Sequence, residues 1–563
     1  MPDLLMNRKT AYALVLILVT ATGAWLLKIS TPHGLGLTDD AISYIAASRA
    51  LLAGQGFTRI WLRTGLEPII HWPPGFPTTL ALISLIFKID PYRSARVLNV
   101  LIFGANAGIL GLLGYKMTKS PRSKGFREAP LWGSPYFAGI LLSILFLSNT
   151  ALLRLHAQAL SEPLYIFVSL LAFLAFYRVF SPPPIPTFPP RGKEQLSQTR
   201  HILPPSGGET EISRSDVHVL PSSEGVRGGK MWLLITGILT GISYLTRYAA
   251  LSLIATFIVA IFILFPTWKK RFKSLAYFFA GLLPLILPWM LRNEVVGGTA
   301  TNRRVIWHPV TLKNARRGLR SSFQFILPYF ETPEYFILAI ILVVFLIALL
   351  MWVLPRGIKY FLKPEKNTRP KILPFVTVLY IFSYLGSLLV SLSFFDAATP
   401  LNDRILSPVY VSILIMLIYL MHKLYEEGKI LPRILAISLT LFLLTTSFIA
   451  NNRTVAELQE SALGFASWRW RESTVMEAIR DLPDDVEIYT NQPPAVYFWT
   501  NRPAYLIWGS EQSDTVRSGD AVLAIFYPPH RDTPKFQAWL AEITEGLEPI
   551  QKSGLGNLYR KVE

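Results

Sequence analysis

YFILAIILVVFLIALLMWVL, residues 335–354, is apolar around its whole circumference and long enough to cross the hydrocarbon core of a bilayer. A helix on the surface of a soluble domain turns polar side chains outward along one face, and this stretch has none to turn. Working outward, AYALVLILVTATGAWLLKI (11–29), KMWLLITGILTGISYLTRYAALSLIATFIVAIFILF (230–265) and ILAISLTLFLLTTSFIA (434–450) read the same way. The whole chain agrees: of 563 residues 51% are hydrophobic and only 16% charged, which excludes an ordinary soluble protein of several domains. The expected class is an all-α polytopic membrane protein.

A net charge of +19 would point a soluble protein toward nucleic acid. Here the basic residues sit mostly in short segments between apolar runs, where orientation in the membrane accounts for them, so no nucleic-acid partner is read from the charge. The sequence contains no cysteine, which removes disulfides, thiolate metal sites and cysteine nucleophiles together. Residues 11–29 follow Arg8 and Lys9 in the manner of a signal peptide, but the apolar run is long and TATGA is a weak cleavage site, so a retained anchor is expected.

Basic clusters fall at Arg8–Lys9, Lys116 to Arg127, 191–230, Lys269 to Lys273, Arg356 to Lys371 and Lys423 to Arg433. Placing all of them in the cytoplasm gives about eleven spans, near 11–29, 96–116, 131–149, 163–180, 231–246, 248–266, 274–291, 335–354, 372–393, 405–421 and 432–450. The N-terminus is then cytoplasmic and the C-terminus outside. This solution requires PPGFPTTLALISLIF (73–87) to lie along the membrane or re-enter it without crossing. The segment 181–229, dense in Pro, Ser and Gly, reads as a disordered cytoplasmic loop within a transmembrane domain of residues 1–450. Residues 451–563 regain charge and show short strand patterns at 487–491, 521–527 and 556–562 beside helix patterns at 472–482 and 533–546, a small extracytoplasmic α/β domain.

Chemistry is sought where ionisable residues meet the outer ends of spans. TDDAISYIAASRALLAGQGF (38–57) offers Thr38 as a helix N-cap, Asp39 and Asp40 in the first turn, Asp40 and Tyr44 on one face, and Gly54 as a stop. Acids in a first turn also simply complement the helix dipole. RLHAQALSEPLYIF (154–167) places His156 and Glu162 at the mouth of a span, as cavity-lining groups or as an interfacial histidine and a capping acid. Arg247 stands between two apolar runs, where a cation calls for an anionic partner. Asp403 and Arg404 begin another span and are able to pair with each other. The loop 291–320 carries Arg292, Arg303, Arg304, Lys313, Arg316, Arg317 and Arg320 against the positive-inside trend, as a solvated basic surface or a site for lipid headgroups or phosphate.

A transporter concentrates such groups near mid-depth on broken helices; here they lie at span ends. Carboxylate and arginine at the lipid boundary suit transfer from a phosphate-bearing amphiphile, with arginine stabilising the departing phosphate and carboxylate taking the acceptor's proton. Phosphate leaves as a weak base, so no second, protonated carboxyl is needed, unlike glycoside hydrolysis.

The order of these features resembles the multi-spanning, polyprenyl-phosphate-sugar-dependent glycosyltransferases of the GT-C fold, including the protein O-mannosyltransferase and lipid A aminoarabinose transferase relatives. The residues that carry it are Asp39–Asp40, Tyr44 and Gly54, then HWPPGFPTTLALISLIF, YRSARVLNVLIFGANAGIL (92–110), SEPLYIF, GILTGISYLTRYAAL and NDRILSPVYVSIL. The resemblance implies a membrane glycosyltransferase, inverting, that moves a monosaccharide from a polyprenyl-phosphate carrier to an extracytoplasmic acceptor in a bacterial or archaeal plasma membrane. It implies Asp40 or Asp39 as catalytic base and Arg247 and Arg404 at the lipid phosphate; Arg292 and Arg303 join them from the basic loop, and Tyr44, His71, His156 and Glu162 are assigned to substrate. His71 stands where the family often has lysine, and Arg247 replaces another frequent lysine. Glu162 matches a second acidic motif that binds a divalent metal in some members; others need none, and none is assigned here. The alternatives are a transporter or flippase of lipid-linked saccharides, or a polymerase or ligase of lipid-linked oligosaccharides.

Overall fold

The computed structural model describes residues 7–60, 66–119, 131–181, 223–300, 305–396, 398–427, 429–528 and 531–562. The segment expected to be a disordered loop therefore lies largely outside the described residues. The membrane part runs α1 (Arg8–Ser30), α2 (Asp39–Leu52), a hairpin of β1 (Thr58–Ile60) and β2 (Leu66–Pro68), α3 (Gly75–Phe87), α4 (Pro91–Thr118), α5 (Pro135–Ser148), α6 (Thr150–His156) and α7 (Glu162–Val179). It continues through α8 (Ser223–Thr246), α9 (Leu251–Leu264), α10 (Trp268–Gly297), α11 (Leu312–Ile326), α12 (Tyr335–Leu362), α13 (Ile372–Phe394), α14 (Asp403–Glu426) and α15 (Ile430–Glu460).

A helix coincides with each expected span, but length and composition divide them. Among the described residues eight helices are long and apolar enough to cross a membrane, or nine if α5 and α6, bent by 65° at Asn149, count as one. The two that fall short are α8 and α9. In α8, Thr236, Thr240, Ser243 and Thr246 break the apolar run, and each hydroxyl donates to the carbonyl four residues back, so the helix can be buried without orphan donors. α9 is only 14 residues long.

Apolar side chains give little reason for helices to choose one another in lipid, and close backbone approach supplies it. A Cβ on Gly237 of α8 would sit 2.0 Å from the Phe278 carbonyl oxygen of α10, and one on Gly281 2.2 Å from the Leu234 carbonyl oxygen. Gly104 of α4 is pressed against α1 in the same way, 2.2 Å from the Thr20 carbonyl oxygen.

α3 occupies the segment expected not to cross. Its 13 residues extend about 20 Å, short of a bilayer core, and Leu82, Leu85, Ile86 and Phe87 remain exposed. α2 begins as expected, with Thr38 Oγ1 accepting from the Ala41 N–H at 3.3 Å, and its buried side includes Tyr44.

α15 continues past residue 450 to Glu460 before the C-terminal part begins. There follow α16 (Trp468–Arg471), α17 (Thr474–Asp481), β3 (Glu487–Thr490), α18 (Pro493–Thr500), β4 (Tyr505–Leu506), α19 (Ser510–Ser518), β5 (Ala521–Phe526), α20 (Pro534–Thr544), β6 (Leu547–Lys552) and β7 (Gly556–Lys561). The five strands make one sheet in the order β4-β3-β5-β7-β6, parallel across β4, β3 and β5 and antiparallel beyond. Central β5 is buried along its whole length, as a strand covered on both faces must be. Residues 463–465 pair with Leu37, which ties this part to the start of α2, and Phe498 packs edge-on against Tyr92 at 5.2 Å.

Candidate active site

Three helix N-termini converge at one end of the bundle. Asp40 lies in the first turn of α2, Glu162 is the first residue of α7, and Arg404 is the second of α14, whose N-cap Asn402 accepts from the Ile405 N–H at 3.2 Å. Arg247 reaches the same place from the break between α8 and the short turn before α9, held in an extended conformation at φ −153°. The positive ends of helix dipoles and two guanidiniums thus surround one spot, which suits an anion.

The four side chains form a single chain of ion pairs. Arg404 Nη1 meets Asp40 Oδ2 at 2.6 Å, and Arg404 Nε donates to Glu162 Oε1. Arg247 Nη1 pairs with that same Oε1 and donates to Ser161 Oγ at 3.3 Å. The Glu162 side chain is 1% exposed, against 29% for Asp40, so Glu162 is the anchor and Asp40 the member nearest the open side. Glu162 Oε2 is buried without a hydrogen-bond partner among the described residues, an acceptor that water or a ligand hydroxyl would satisfy. Tyr44 closes the floor, with its hydroxyl 3.4 Å from Ser161 Oγ and its ring edge-on to Trp72 and Phe76.

The remaining expected residues have other surroundings. Asp39 is exposed and takes no part in the ion-pair chain among the described residues; partial desolvation, and then the charge of Asp40, hold its carboxyl above the ordinary aspartate value. His156 is fully buried, Nδ1 2.7 Å from the Leu152 carbonyl oxygen and Nε2 3.2 Å from Asn106 Nδ2, with its ring between Phe103 and Phe146. His71 is exposed beside Trp72. Arg292 donates to the Ile69 and Phe57 carbonyls at 2.5 and 3.3 Å and stacks on Trp289, so it braces the hairpin loop. Asp403 does not pair with Arg404; it accepts from Ser321 of α11. Arg303 and Arg304 lie outside the described residues.

One cation went unnoticed in the sequence. Arg59 of β1 lies over the Trp72 ring at 5.1 Å and donates to Ser43 Oγ at 3.3 Å, one turn from Asp40. Its loop carried no pattern to single it out.

A divalent metal does not fit this arrangement. Among the described residues no group of three or more His, Cys, Asp or Glu side chains comes together, and Glu162 already faces two guanidiniums that would repel a cation.

No family model and no curated protein matches the chain. Solved structures do. ArnT from Cupriavidus metallidurans in the apo state aligns over 98% of both chains at 11% identity, with a TM-score of 0.51. The apo oligosaccharyltransferase of Archaeoglobus fulgidus aligns over 95% of this chain and 71% of its own, at 11% identity and a TM-score of 0.51. The arabinofuranosyltransferase AftD from Mycobacteria aligns over 99% of this chain and 40% of its own, at 10% identity and a TM-score of 0.50. The fold is therefore that of the GT-C class of polytopic membrane proteins.

Proposed function

We propose that this protein is a membrane glycosyltransferase that moves a monosaccharide from a polyprenyl-phosphate carrier to the hydroxyl of an extracytoplasmic acceptor, with inversion. The observation that carries this reading is the ion-paired cluster of Asp40, Glu162, Arg247 and Arg404, drawn from four distant parts of the chain to one end of the bundle. Two of the solved structures that share the fold are named for sugar transfer, an oligosaccharyltransferase and an arabinofuranosyltransferase, which supports the same class.

Arg247 and Arg404 hold the carrier phosphate, aided by the N-termini of α7 and α14. Arg404 exchanges Asp40 for a phosphate oxygen, which leaves the aspartate free to accept a proton. The acceptor oxygen then attacks the anomeric carbon, its proton passes to Asp40, and the bond from that carbon to the phosphate oxygen breaks with its electron pair. The products are the inverted glycoside and polyprenyl phosphate. Glu162 keeps both guanidiniums in place throughout; Tyr44 and His71, with Trp72 in contact with both, are assigned to the sugar. The C-terminal sheet domain, tied to the start of α2, is assigned to binding the acceptor. With the basic helix ends cytoplasmic, this end of the bundle faces outside.

All four charged groups stand at helix ends and none at mid-helix, which disfavours the transporter reading. The test is transfer from a polyprenyl-phosphate-linked monosaccharide by purified wild-type protein, Asp39→Asn and Asp40→Asn. A loss of transfer of at least about a hundredfold in Asp40→Asn alone is expected; full transfer in both variants removes the assigned base, and bilayer translocation of the donor without transfer replaces the enzyme by a flippase.

A further inference from the structure

The loop between α10 and α12 carries a second set of cations, which the proposed reaction does not use. Lys313, Arg316, Arg317 and Arg320 recur on α11 at helical spacing, so they share one face, and all four are exposed. The opposite face is committed to packing: Asn314 Nδ2 donates to the Thr399 carbonyl at 2.9 Å, Ser321 donates to Asp403, and Phe325 stacks on Tyr410 at 4.2 Å. Among the described residues no acid pairs with any of the four, although ion pairs are plentiful elsewhere.

The position of this stripe matters as much as its charge. Arg316 lies over the ring of Tyr335, the first residue of the spanning helix α12, which sets the stripe at the level where that helix leaves the hydrocarbon. Exposed Ile306, Trp307 and Leu312 flank it, at 60%, 66% and 65% exposure, and the Ile306 and His308 N–H groups bind the last carbonyls of α13 and fix that flank against the bundle. Apolar side chains beside a row of cations at a membrane boundary match a headgroup region, where tails meet the former and phosphodiesters the latter. A soluble polyanion would leave the Ile306, Trp307 and Leu312 side chains uncovered.

We infer that α11 is a binding site for anionic phospholipid headgroups of the leaflet on the active-site side, held by Lys313, Arg316, Arg317 and Arg320. The inference stands whether or not the protein transfers sugar. Full-length protein in detergent micelles, titrated with phosphatidylglycerol or phosphatidylcholine and read by native mass spectrometry, tests it. Wild type retains phosphatidylglycerol more tightly; replacing all four residues by Gln removes that preference, on the order of fivefold for each cation lost, and leaves phosphatidylcholine binding unchanged. The charge-preserving variant Arg316→Lys/Arg317→Lys/Arg320→Lys keeps the preference. If the fourfold variant does not fold, Arg317→Gln/Arg320→Gln gives a partial loss in the same assay. Unchanged phosphatidylglycerol retention in the neutralised protein overturns the assignment, and so does equally tight binding of the tail-less headgroup glycerophosphoglycerol, which would make the stripe a site for soluble anions.

Discussion

The arginines of the active-site cluster and those of α11 lie at the same end of the molecule, and their circumstances are opposite. Arg247 and Arg404 are mostly covered and share one buried carboxylate, whereas Arg316, Arg317 and Arg320 are exposed and, among the described residues, pair with no acid. The difference teaches where the free energy of charge resides. A covered guanidinium has lost its water and depends on the carboxylate that replaces it; an exposed one keeps its water and is available to a ligand from outside.

Breaking the covered set has the largest effects. Asp40→Asn lowers the rate of sugar transfer by about a hundredfold to ten thousandfold, the usual worth of a positioned base, with the fold intact by circular dichroism. Glu162→Gln leaves two desolvated guanidiniums without their shared anion and costs about 3–5 kcal/mol of stability, read in denaturant unfolding of the solubilised protein. Arg404→Lys replaces a fork that reaches Asp40 and Glu162 together by a point charge, and the KM for the lipid-linked donor rises about tenfold, equivalent to about 1.4 kcal/mol.

Two gentler changes sharpen the contrast. Asp39 has its folded-state pKa raised, so wild type binds that proton more tightly folded than unfolded. Its contribution to stability is full below the unfolded aspartate value and is lost as pH rises through the folded value. Asp39→Asn therefore melts at a higher temperature than wild type near neutrality, and the gap closes as the buffer is made acidic enough to protonate the aspartate. Arg317→Gln, on the uncovered stripe, leaves both the melting temperature and the transfer rate unchanged; a lower melting temperature would show that Arg317 holds the fold, and a lower transfer rate at unchanged melting temperature that α11 serves the reaction.

Much of the bundle was legible because a bilayer permits few answers. Apolar runs such as 335–354 have no polar face to satisfy in water, and α12 occupies that run. Segment 73–87 was expected not to cross, from the placing of the basic clusters and its short length, and the helix found there has 13 residues. α8 shows the limit of that reasoning: its hydroxyls lower the hydropathy while each is internally satisfied, and hydropathy does not register the second fact. In the C-terminal part β3, β5 and β7 fall on the expected strand patterns, of which only β5 is an apolar run. β4, with two residues, and β6, with its mostly exposed pattern, were not expected.

The sequence by itself determined the membrane class, the approximate positions of the apolar helices, and the presence of acids and arginines near their ends, because burial in lipid is a property of contiguous residues. It did not determine which acid meets which arginine. Asp403 and Arg404 are neighbours in the chain, yet one turns to Ser321 and the other to Asp40 and Glu162. His156, at the end of α6, joins the core with Asn106. Only tertiary structure decided these pairings, since ion pairing depends on distances of a few ångströms between helices, and nothing in the order of residues along one helix encodes how its neighbour is rotated.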